Sequence, residues 1–289
     1  MKKFNSKALY YFPFNGEYSP YLEAYKYYAK IANIPLHIVS KQIQILTLPL
    51  FSTVIVESIN SIKVGFFARL DVRVIHCPRG GGSLKVGWST LNKLSWHVWL
   101  RLYRRTKIVV RNDFFARYQS LEEKSNFNKY VISREVVDDY FNTLPKKKYS
   151  AHIALSECWS VSQLNMFLEK IVKVKEFEKY TFTISIHPMV EKSIEFDRNR
   201  VSCNHFAEGF MPELLITDCV SIAFNAFTNH IKLYIVEDNQ SWERRMLLPQ
   251  KILFNIKESD VMTTIDSRKL YYVASSSDLM ETSDNKFQL

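Results

Sequence analysis

Short apolar runs alternate with longer amphipathic stretches in the first half of the chain. The runs at 7–14, 36–40, 53–56, 72–76 and 108–110 have the length and composition of buried strands. Residues 21–32 carry apolar side chains at helical spacing and predict a helix between the first two strands. Strands that alternate with helices form parallel sheets covered on both faces, so the first half is predicted to be an α/β domain.

The second half shows the same alternation. Strands are predicted at 149–155, 181–187, 214–217 and 232–236, and helices at 162–174 and 221–228. Open parallel sheets bind ligands at the carboxyl ends of their strands. The two halves together therefore predict an α/β protein of two Rossmann-like domains that face a cleft.

A proline beside a run of lysines marks the predicted domain boundary. Pro145 is followed by Lys146, Lys147 and Lys148, and patterned stretches lie on both sides of this segment. We therefore expect one domain at 1–145 and another at 146–289, with a frayed polar tail from about residue 275.

Positive charge is concentrated in the first domain. The 289 residues carry a formal net charge of +10, and residues 1–145 contain 21 Lys and Arg against 10 Asp and Glu. Residues 146–289 contain 18 against 19. This asymmetry indicates an acidic partner for the first half, which leaves nucleic acid, anionic lipid and a phosphorylated acceptor open. With 47% hydrophobic residues, the composition excludes a disordered chain.

The spacing of the cysteines and the length of the apolar runs indicate the cellular compartment of the protein. The four cysteines form no CxxC pair, which favours reduced thiols over a zinc site. We recognise no signal peptide, and no apolar run reaches the roughly 18–20 residues that a spanning helix needs. We therefore expect a cytoplasmic protein whose membrane contact is peripheral, on the inner face of the plasma membrane.

A glycine-rich segment follows the predicted strand that ends at His76. Its members with a chemical role are Arg79, Gly80, Gly81, Gly82, Ser83 and Lys85. Glycines let backbone N–H groups approach an anion closely, and Arg79 or Lys85 would supply counter-charge. The segment is predicted to hold a phosphate or an acceptor next to His76. A tight turn after a buried strand is the alternative interpretation.

Two segments of the second half place polar groups at predicted strand ends. His187 and Pro188 stand at one strand end, where the proline ring sets the chain direction. Thr217 and Asp218 end another strand, and Ser221 begins a helix whose N-terminal N–H groups and dipole favour an anion. Both segments predict phosphate contacts, and the alternative for His187 is a strand-end polar residue that is hydrogen-bonded within the protein. Helix capping by Asp218 and Ser221 explains the second segment equally well.

Residues 94–107 predict an amphipathic helix with a basic side and an aromatic side. At about 100° per residue, the basic side carries His97, Arg101, Arg104 and Arg105, and the aromatic side carries Trp96, Trp99 and Tyr103. Such a helix suits an anionic bilayer surface. The alternative is that the aromatic rings pack on the sheet and the arginines are solvated.

The order of these segments resembles the CDP-glycerol:poly(glycerophosphate) glycerophosphotransferase group. The resemblance spans about residues 75–236 and rests on the strand that ends at His76, on Val110-Arg-Asn-Asp-Phe-Phe115, on His187-Pro188 and on LLITDCVSIAFNAF from Leu214. Members of that group are peripheral-membrane GT-B enzymes of teichoic-acid and capsule synthesis. The His-Pro strand end and the serine-bearing turn are also similar to those of bacterial sialyltransferases and Kdo transferases, which hold CMP.

The resemblance implies a GT-B transferase with a CMP- or CDP-linked donor. The first domain would face the acceptor and the membrane, with His76 as the general base. The second domain would hold the donor through His187, Pro188, Thr217, Asp218 and Ser221. The implied partners are a nucleotide-activated donor, a lipid-linked or glycan acceptor, and an anionic membrane surface contacted through Trp96, Trp99, Arg101, Arg104 and Arg105. No nucleic acid, cofactor or metal is expected.

Two other classes of function stay open. A basic half rich in aromatic residues also suits a nucleic-acid-binding protein. The chain has Val220 where the family has a serine and Asn225 where it has an aspartate, which fits a non-catalytic GT-like subunit. If His76 is not the base, Asp113 and Glu157 are the next carboxylates near predicted strand ends.

Overall fold

The structure is a computed structural model. It describes residues 8–13, 20–39, 41–56, 72–76, 107–110, 130–132, 136–155, 159–185, 201–237, 256–265 and 268–273. The chain divides into two compact units between Tyr140 and Phe141. We call them unit 1, which contains the described residues up to Tyr140, and unit 2, which contains those from Phe141 onward.

Unit 1 is built on a parallel sheet. Its strands are β1 (Leu9–Phe12), β2 (Leu36–Ile38), β3 (Thr53–Val56), β4 (Arg73–His76), β5 (Lys107–Val110) and β6 (Tyr130–Ile132). Their order is β2-β1-β3-β4-β5-β6, and every neighbouring pair is parallel. All four residues of β3 are buried, as expected for an inner strand covered on both faces.

Helix α1 (Pro20–Ala32) follows β1 and covers the sheet. Its buried residues Tyr21, Ala24 and Tyr25 recur at helical spacing, and the Tyr25 ring packs 5.4 Å from that of Tyr11 in β1. Asn33 ends the helix with a φ of 53°, and the N–H of Ile34 donates to the Ala29 carbonyl over 2.9 Å. This left-handed cap sends the chain directly into β2.

Unit 2 contains a larger, mixed sheet. Its strands are β7 (Lys146–Ala154), β8 (Thr181–Ser185), β9 (Val201–Cys203), β10 (Met211–Thr217), β11 (Lys232–Val236), β12 (Val261–Ile265) and β13 (Arg268–Val273). The helices are α2 (Val136–Phe141) at the boundary of the units, α3 (Val161–Ile171) after β7, and α4 (Val220–Thr228) after β10. The order is β12-β13-β11-β10-β7-β8-β9.

The parallel part of this sheet has the Rossmann strand order. The strands β9-β8-β7 extend in one direction and β10-β11 in the other, so the order reverses between β7 and β10. Helix α3 covers one face through Leu164, Phe167, Leu168 and Ile171, and α4 packs on β10 and β11. The predicted α/β class with parallel sheets in both halves is confirmed, whereas the cleft between them stays a prediction.

Several elements differ from the sequence prediction. Strand β7 begins at Lys146 rather than at 149, because the backbone of Lys146 and Lys147 pairs with Met211 and Pro212 of β10 while the lysine side chains stay exposed. Strand β6, strand β9, helix α2 and the antiparallel pair β12–β13 were not predicted. Lys107, placed in the amphipathic helix, begins β5 instead. Within the described ranges, no helix is both long enough and apolar enough to cross a membrane.

Candidate functional site

The point where the strand order of unit 2 reverses is the candidate site. Ligands of open parallel sheets bind outside the carboxyl ends of the strands at such a point. Strand β7 ends there at Ala154 and β10 ends at Thr217, and the two residues are direct partners in the sheet. Two residues predicted from the sequence, Thr217 and Asp218, therefore lie at the switch point.

Thr217 ties the two central strands together. Its hydroxyl donates to the Ala154 carbonyl over 2.5 Å and accepts from the backbone N–H of Cys219 over 2.9 Å. The side chain is buried. These two bonds direct the chain from the end of β10 into α4, so Thr217 positions the turn.

Asp218 is a buried carboxylate held by a tryptophan. The indole N–H of Trp159 donates to Asp218 Oδ2 over 2.9 Å, and the Cys219 thiol lies 3.5 Å from Oδ1. Asp218 stands immediately before the N-cap of α4, where a helix dipole favours negative charge. The carboxylate thus links the turn after β10 to the segment after β7, 59 residues earlier in the chain.

Two neighbouring side chains pack against the ring of Trp159. Its ring meets the Phe167 ring of α3 edge to face at 5.1 Å, and the guanidinium of Arg268 lies 4.2 Å above the ring. Because β13 is antiparallel to β11, Arg268 begins β13 at the edge where the parallel strands end. The strand pair β12–β13 therefore brings a cation to the carboxyl edge of the sheet.

Sequence analysis missed Trp159 and Arg268. A tryptophan between a predicted strand and a helix N-cap at Ser160 was a usable signal, because the first turn between strand and helix of a Rossmann unit borders its ligand site. Arg268 had no local signal, because its place depends on the pairing of β13 with β11.

Two helices begin near the switch point, and they differ at their N-termini. In α3, Ser160 accepts from the N–H of Gln163 and the Gln163 side chain accepts from the N–H of Ser160, which forms a complete capping box. In α4, the N-cap is Cys219, which makes no side-chain capping bond. Ser221 is the second residue of α4. The first turn of α4 is thus the one suited to bind an anion.

A buried histidine supports the sheet close to this edge. His152 of β7 has Nδ1 2.7 Å from Thr183 Oγ1 and Nε2 2.8 Å from Ser185 Oγ. Ser185 donates to the Asn204 carbonyl over 3.1 Å, so we assign the ring proton to Nε2 and the proton of the Thr183 hydroxyl to the bond with Nδ1. Burial, and to a lesser extent His205, lowers the pKa of His152 to about 3. The ring is therefore neutral near pH 7.

The other predicted site residues are placed as follows. His76 is the last residue of β4 in unit 1, where it pairs with Val56 of β3 and Ile108 of β5. The remaining predicted residues lie outside the described ranges, and they are Arg79, Gly80, Gly81, Gly82, Ser83, Lys85, Trp96, Trp99, Arg101, Arg104, Arg105, Asp113, Glu157, His187 and Pro188. The structure thus brings together Thr217, Asp218 and the backbone of Ser221.

The described residues contain no group of three or more His, Cys, Asp or Glu side chains arranged to hold a metal ion. The chemistry present at the switch point is that of backbone N–H groups, hydroxyls, one buried carboxylate and one arginine. Among these groups, backbone N–H groups and a guanidinium are the ones that can donate hydrogen bonds to an anion.

Comparison with known proteins supports the fold. No family model matches the sequence, and no curated protein matches it. A solved structure of the wall teichoic acid polymerase TagF with CDPG matches at a TM-score of 0.56 with 13% identity, over 78% of this chain and 69% of that chain. Anabaena HepE in complex with UDP matches at a TM-score of 0.42 with 8% identity, over 78% of this chain and 79% of that chain.

Fold and site together define the class of protein. It is an α/β protein of two units, the first built on a parallel sheet and the second on a mixed sheet whose parallel strands have the Rossmann order. The likeness to TagF shows a shared fold.

Proposed function

We propose that this protein is a GT-B transferase that uses a CMP- or CDP-linked donor. It transfers a sugar or a polyol phosphate to a lipid-linked or glycan acceptor in the synthesis of a bacterial surface polysaccharide. Support comes from the switch point of unit 2, from the shared fold with a polymerase whose structure includes CDPG, and from the sequence motifs at Thr217–Ser221 and His187-Pro188.

The difference between α3 and α4 carries the proposal. A nucleotide phosphate needs donors at the carboxyl edge, and the capping box of Ser160 and Gln163 already serves the first turn of α3. The N-cap residue of α4, Cys219, makes no side-chain capping bond, and the first turn contains Ser221. The donor phosphates therefore bind to the N–H groups of this turn and to the Ser221 hydroxyl.

The remaining donor residues have distinct roles in this proposal. Thr217 and Asp218 hold the turn in place through their bonds to Ala154 and Trp159. His187 follows β8, the neighbour of β7, and donates to a donor phosphate beside Pro188. In this proposal, the turn held by Thr217 and Asp218 and the segment with His187 both belong to unit 2.

Transfer begins with His76 as the general base. The histidine removes the proton from an acceptor hydroxyl, whose oxygen forms a bond to the transferred group while the bond from that group to the nucleotide breaks. The negative charge left on the nucleotide phosphate is stabilised by the first turn of α4, by Ser221 and by His187. Arg79 or Lys85 neutralises phosphate charge at the glycine segment, and the step needs neither cofactor nor metal.

Nucleotide binding is the direct test. In a thermal-shift series with CMP, CDP, UDP, GDP and ADP, we expect CMP or CDP to raise the melting temperature most. A ligand at a hundredfold its Kd stabilises the folded state by about 2.7 kcal/mol, which corresponds to several degrees for a chain of this size. Equal or larger shifts with UDP or GDP would remove the cytidine donor from the proposal.

Two further readouts separate the other function classes. A nucleic-acid-binding protein would bind RNA with a steep dependence on salt and would show no preference for cytidine nucleotides. A non-catalytic subunit would bind CMP or CDP and release no nucleotide from a CDP-linked donor when acceptor is added.

A further inference from the structure

A second carboxylate lies at the carboxyl edge of the sheet of unit 2. Glu237 directly follows the last residue of β11, and its backbone N–H donates to the Lys269 carbonyl over 2.9 Å. Its side-chain atom Oε2 accepts a hydrogen bond of 2.8 Å from the hydroxyl of Tyr271 in β13. Tyr271 is buried, so this bond holds the carboxylate in a defined place just beyond the end of β11.

The place of Glu237 follows from the order of the elements around α4. Strand β10 ends at Thr217, a turn leads into α4, and α4 leads into β11, which lies parallel beside β10. These elements form one βαβ unit, from which nucleotide-binding sheets are built. In a Rossmann unit the helix N-terminus receives the phosphate, and an acidic residue about 20 residues later binds the ribose 2′-hydroxyl. Glu237 stands 20 residues after Thr217.

Glu237 lies on the same face of the sheet as the end of β10. Ile216 of β10 and Val236 of β11 belong to the core that α3 covers. Because successive side chains of a strand point to opposite faces, Thr217 and Glu237 lie on the other face. Thr217 pairs with Ile235, so Glu237 lies two residues beyond this pair and one strand across. At about 3.3 Å per residue and about 4.8 Å between strands, its backbone is about 8 Å from the end of β10.

A carboxylate in this place has the chemistry to recognise ribose. The sugar presents a 2′-hydroxyl donor that deoxyribose lacks. An ionised carboxylate has about four acceptor positions and donates no hydrogen bond, so a hydroxyl can bind in addition to contacts within the chain. Hydrogen bonds to a charged group are also shorter and stronger than neutral ones. Because Tyr271 orients the group beforehand, less conformational entropy is lost when the ligand binds.

We propose that Glu237 accepts a hydrogen bond from the 2′-hydroxyl of the nucleotide donor and makes the site of unit 2 selective for ribonucleotides. In this arrangement the phosphates occupy the first turn of α4, and the ribose extends across the end of β11. Tyr271 is a positioning residue, because it acts through Glu237. The inference rests on the proposed function, since it needs a nucleotide at the switch point, but it holds for any base.

Paired ribose and deoxyribose ligands measure this contact by calorimetric titration. Wild-type protein is expected to bind CDP at least about tenfold more tightly than 2′-deoxy-CDP. In Glu237→Gln the amide oxygen makes only a neutral hydrogen bond, so this preference is expected to fall to about threefold or less. Tyr271→Phe keeps the buried ring and the carboxylate, and it is expected to reduce the preference in part. UDP and 2′-deoxy-UDP repeat the test with another base.

The matched control is Glu213→Gln. Glu213 Oε1 also accepts from a tyrosine, the Tyr180 hydroxyl at 2.9 Å, but Glu213 lies near the amino end of β10. This variant is expected to keep the wild-type preference for ribose.

The outcomes separate the ribose contact from the proposed function. Equal affinity of the wild type for the ribose and deoxyribose forms overturns the contact and leaves the nucleotide site in place, as does an unchanged preference in folded Glu237→Gln. If the wild type binds none of these nucleotides, the proposed function is wrong and the ribose contact is wrong with it.

Discussion

At the residue scale, Asp218 shows how a side chain of the candidate site can hold the turn after β10 in position. A buried carboxylate without donors is costly, and the Trp159 indole supplies a charge-assisted hydrogen bond of 2.9 Å. The guanidinium of Arg268 lies 4.2 Å above the ring of the same tryptophan. The sequence motif marked Asp218 as a phosphate-site or capping residue, and the structure shows its role in holding the turn after β10.

His152 gives a residue-scale prediction about pH. In the unfolded chain a histidine has its usual pKa of about 6.5, whereas burial lowers the pKa of His152 to about 3 in the fold. Between these values the unfolded state binds a proton that the folded state does not, so stability falls as the pH falls below about 6.5. At pH 5 this linkage removes about 2 kcal/mol from the free energy of unfolding.

Denaturant unfolding of His152→Gln at pH 7.5 and pH 5 measures this linkage. The variant is expected to be less stable than the wild type at pH 7.5, because its amide fits the bonds to Thr183 and Ser185 less well. The difference in the free energy of unfolding between wild type and variant is expected to narrow by about 2 kcal/mol at pH 5, because the variant lacks the imidazole of His152. If this difference is the same at both pH values, the proposed link between the burial of His152 and the pH dependence of stability is wrong.

At the element scale, α3 and α4 start at the same edge of the sheet and differ in how their N-termini are capped. The capping box supplies side-chain acceptors for two backbone N–H groups at the N-terminus of α3. In α4, the N-cap residue Cys219 makes no side-chain capping bond, and the helix follows the turn held by Thr217 and Asp218. The strand pair β12–β13 extends the same sheet and contributes Arg268 to its carboxyl edge.

A pair of serine variants tests this division between the helices. Ser160→Ala removes the α3 cap and is expected to lower the free energy of unfolding by about 1 kcal/mol, with unchanged affinity for CDP. Ser221→Ala is expected to leave stability nearly unchanged and to weaken CDP binding by about 1.5–3 kcal/mol, or roughly tenfold to a hundredfold. Calorimetric titration and denaturant unfolding measure the two effects. The reverse pattern would place the nucleotide phosphate at α3.

At the scale of the whole molecule, the proposed reaction needs both units. In that proposal, unit 2 would hold the donor at its switch point and unit 1 would supply His76, which ends β4. The positive charge of residues 1–145 and the near-neutral balance of 146–289 fit this proposed division, in which the first half would meet an acidic partner.

A variant of His76 tests the division between the units. His76→Ala is expected to reduce turnover by about 10²–10⁴-fold, because a general base contributes that much to a rate. Affinity for CMP or CDP is expected to stay within about twofold of the wild type, because the histidine is not part of the donor site in unit 2. A folded variant with more than about a tenth of wild-type turnover would exclude His76 as the base, and Asp113 and Glu157 would be tested next.

Many of the local elements could be predicted from the sequence alone. Strand ends at His76 and Thr217 and the helices at α1 and α4 were predicted within a residue or two, because hydrophobic periodicity records which side chains of a segment are buried. The polar turn at Thr217-Asp218 was found for the same reason, since it interrupts an apolar run at the start of a helix. Isolated short strands such as β6 and β9, of three residues each, carry too few positions for a period to show.

Tertiary structure alone decided which distant segments meet. The pairing of β7 with β10 creates the switch point, and it joins Trp159 to Asp218 across 59 residues. The antiparallel pairing of β13 with β11 brings Arg268 to the same edge, and the positive φ of Phe51 follows from the turn that closes over Ser52. Periodicity shows that a residue is buried or exposed, but its partner depends on strand order and packing, which are properties of the assembled sheet.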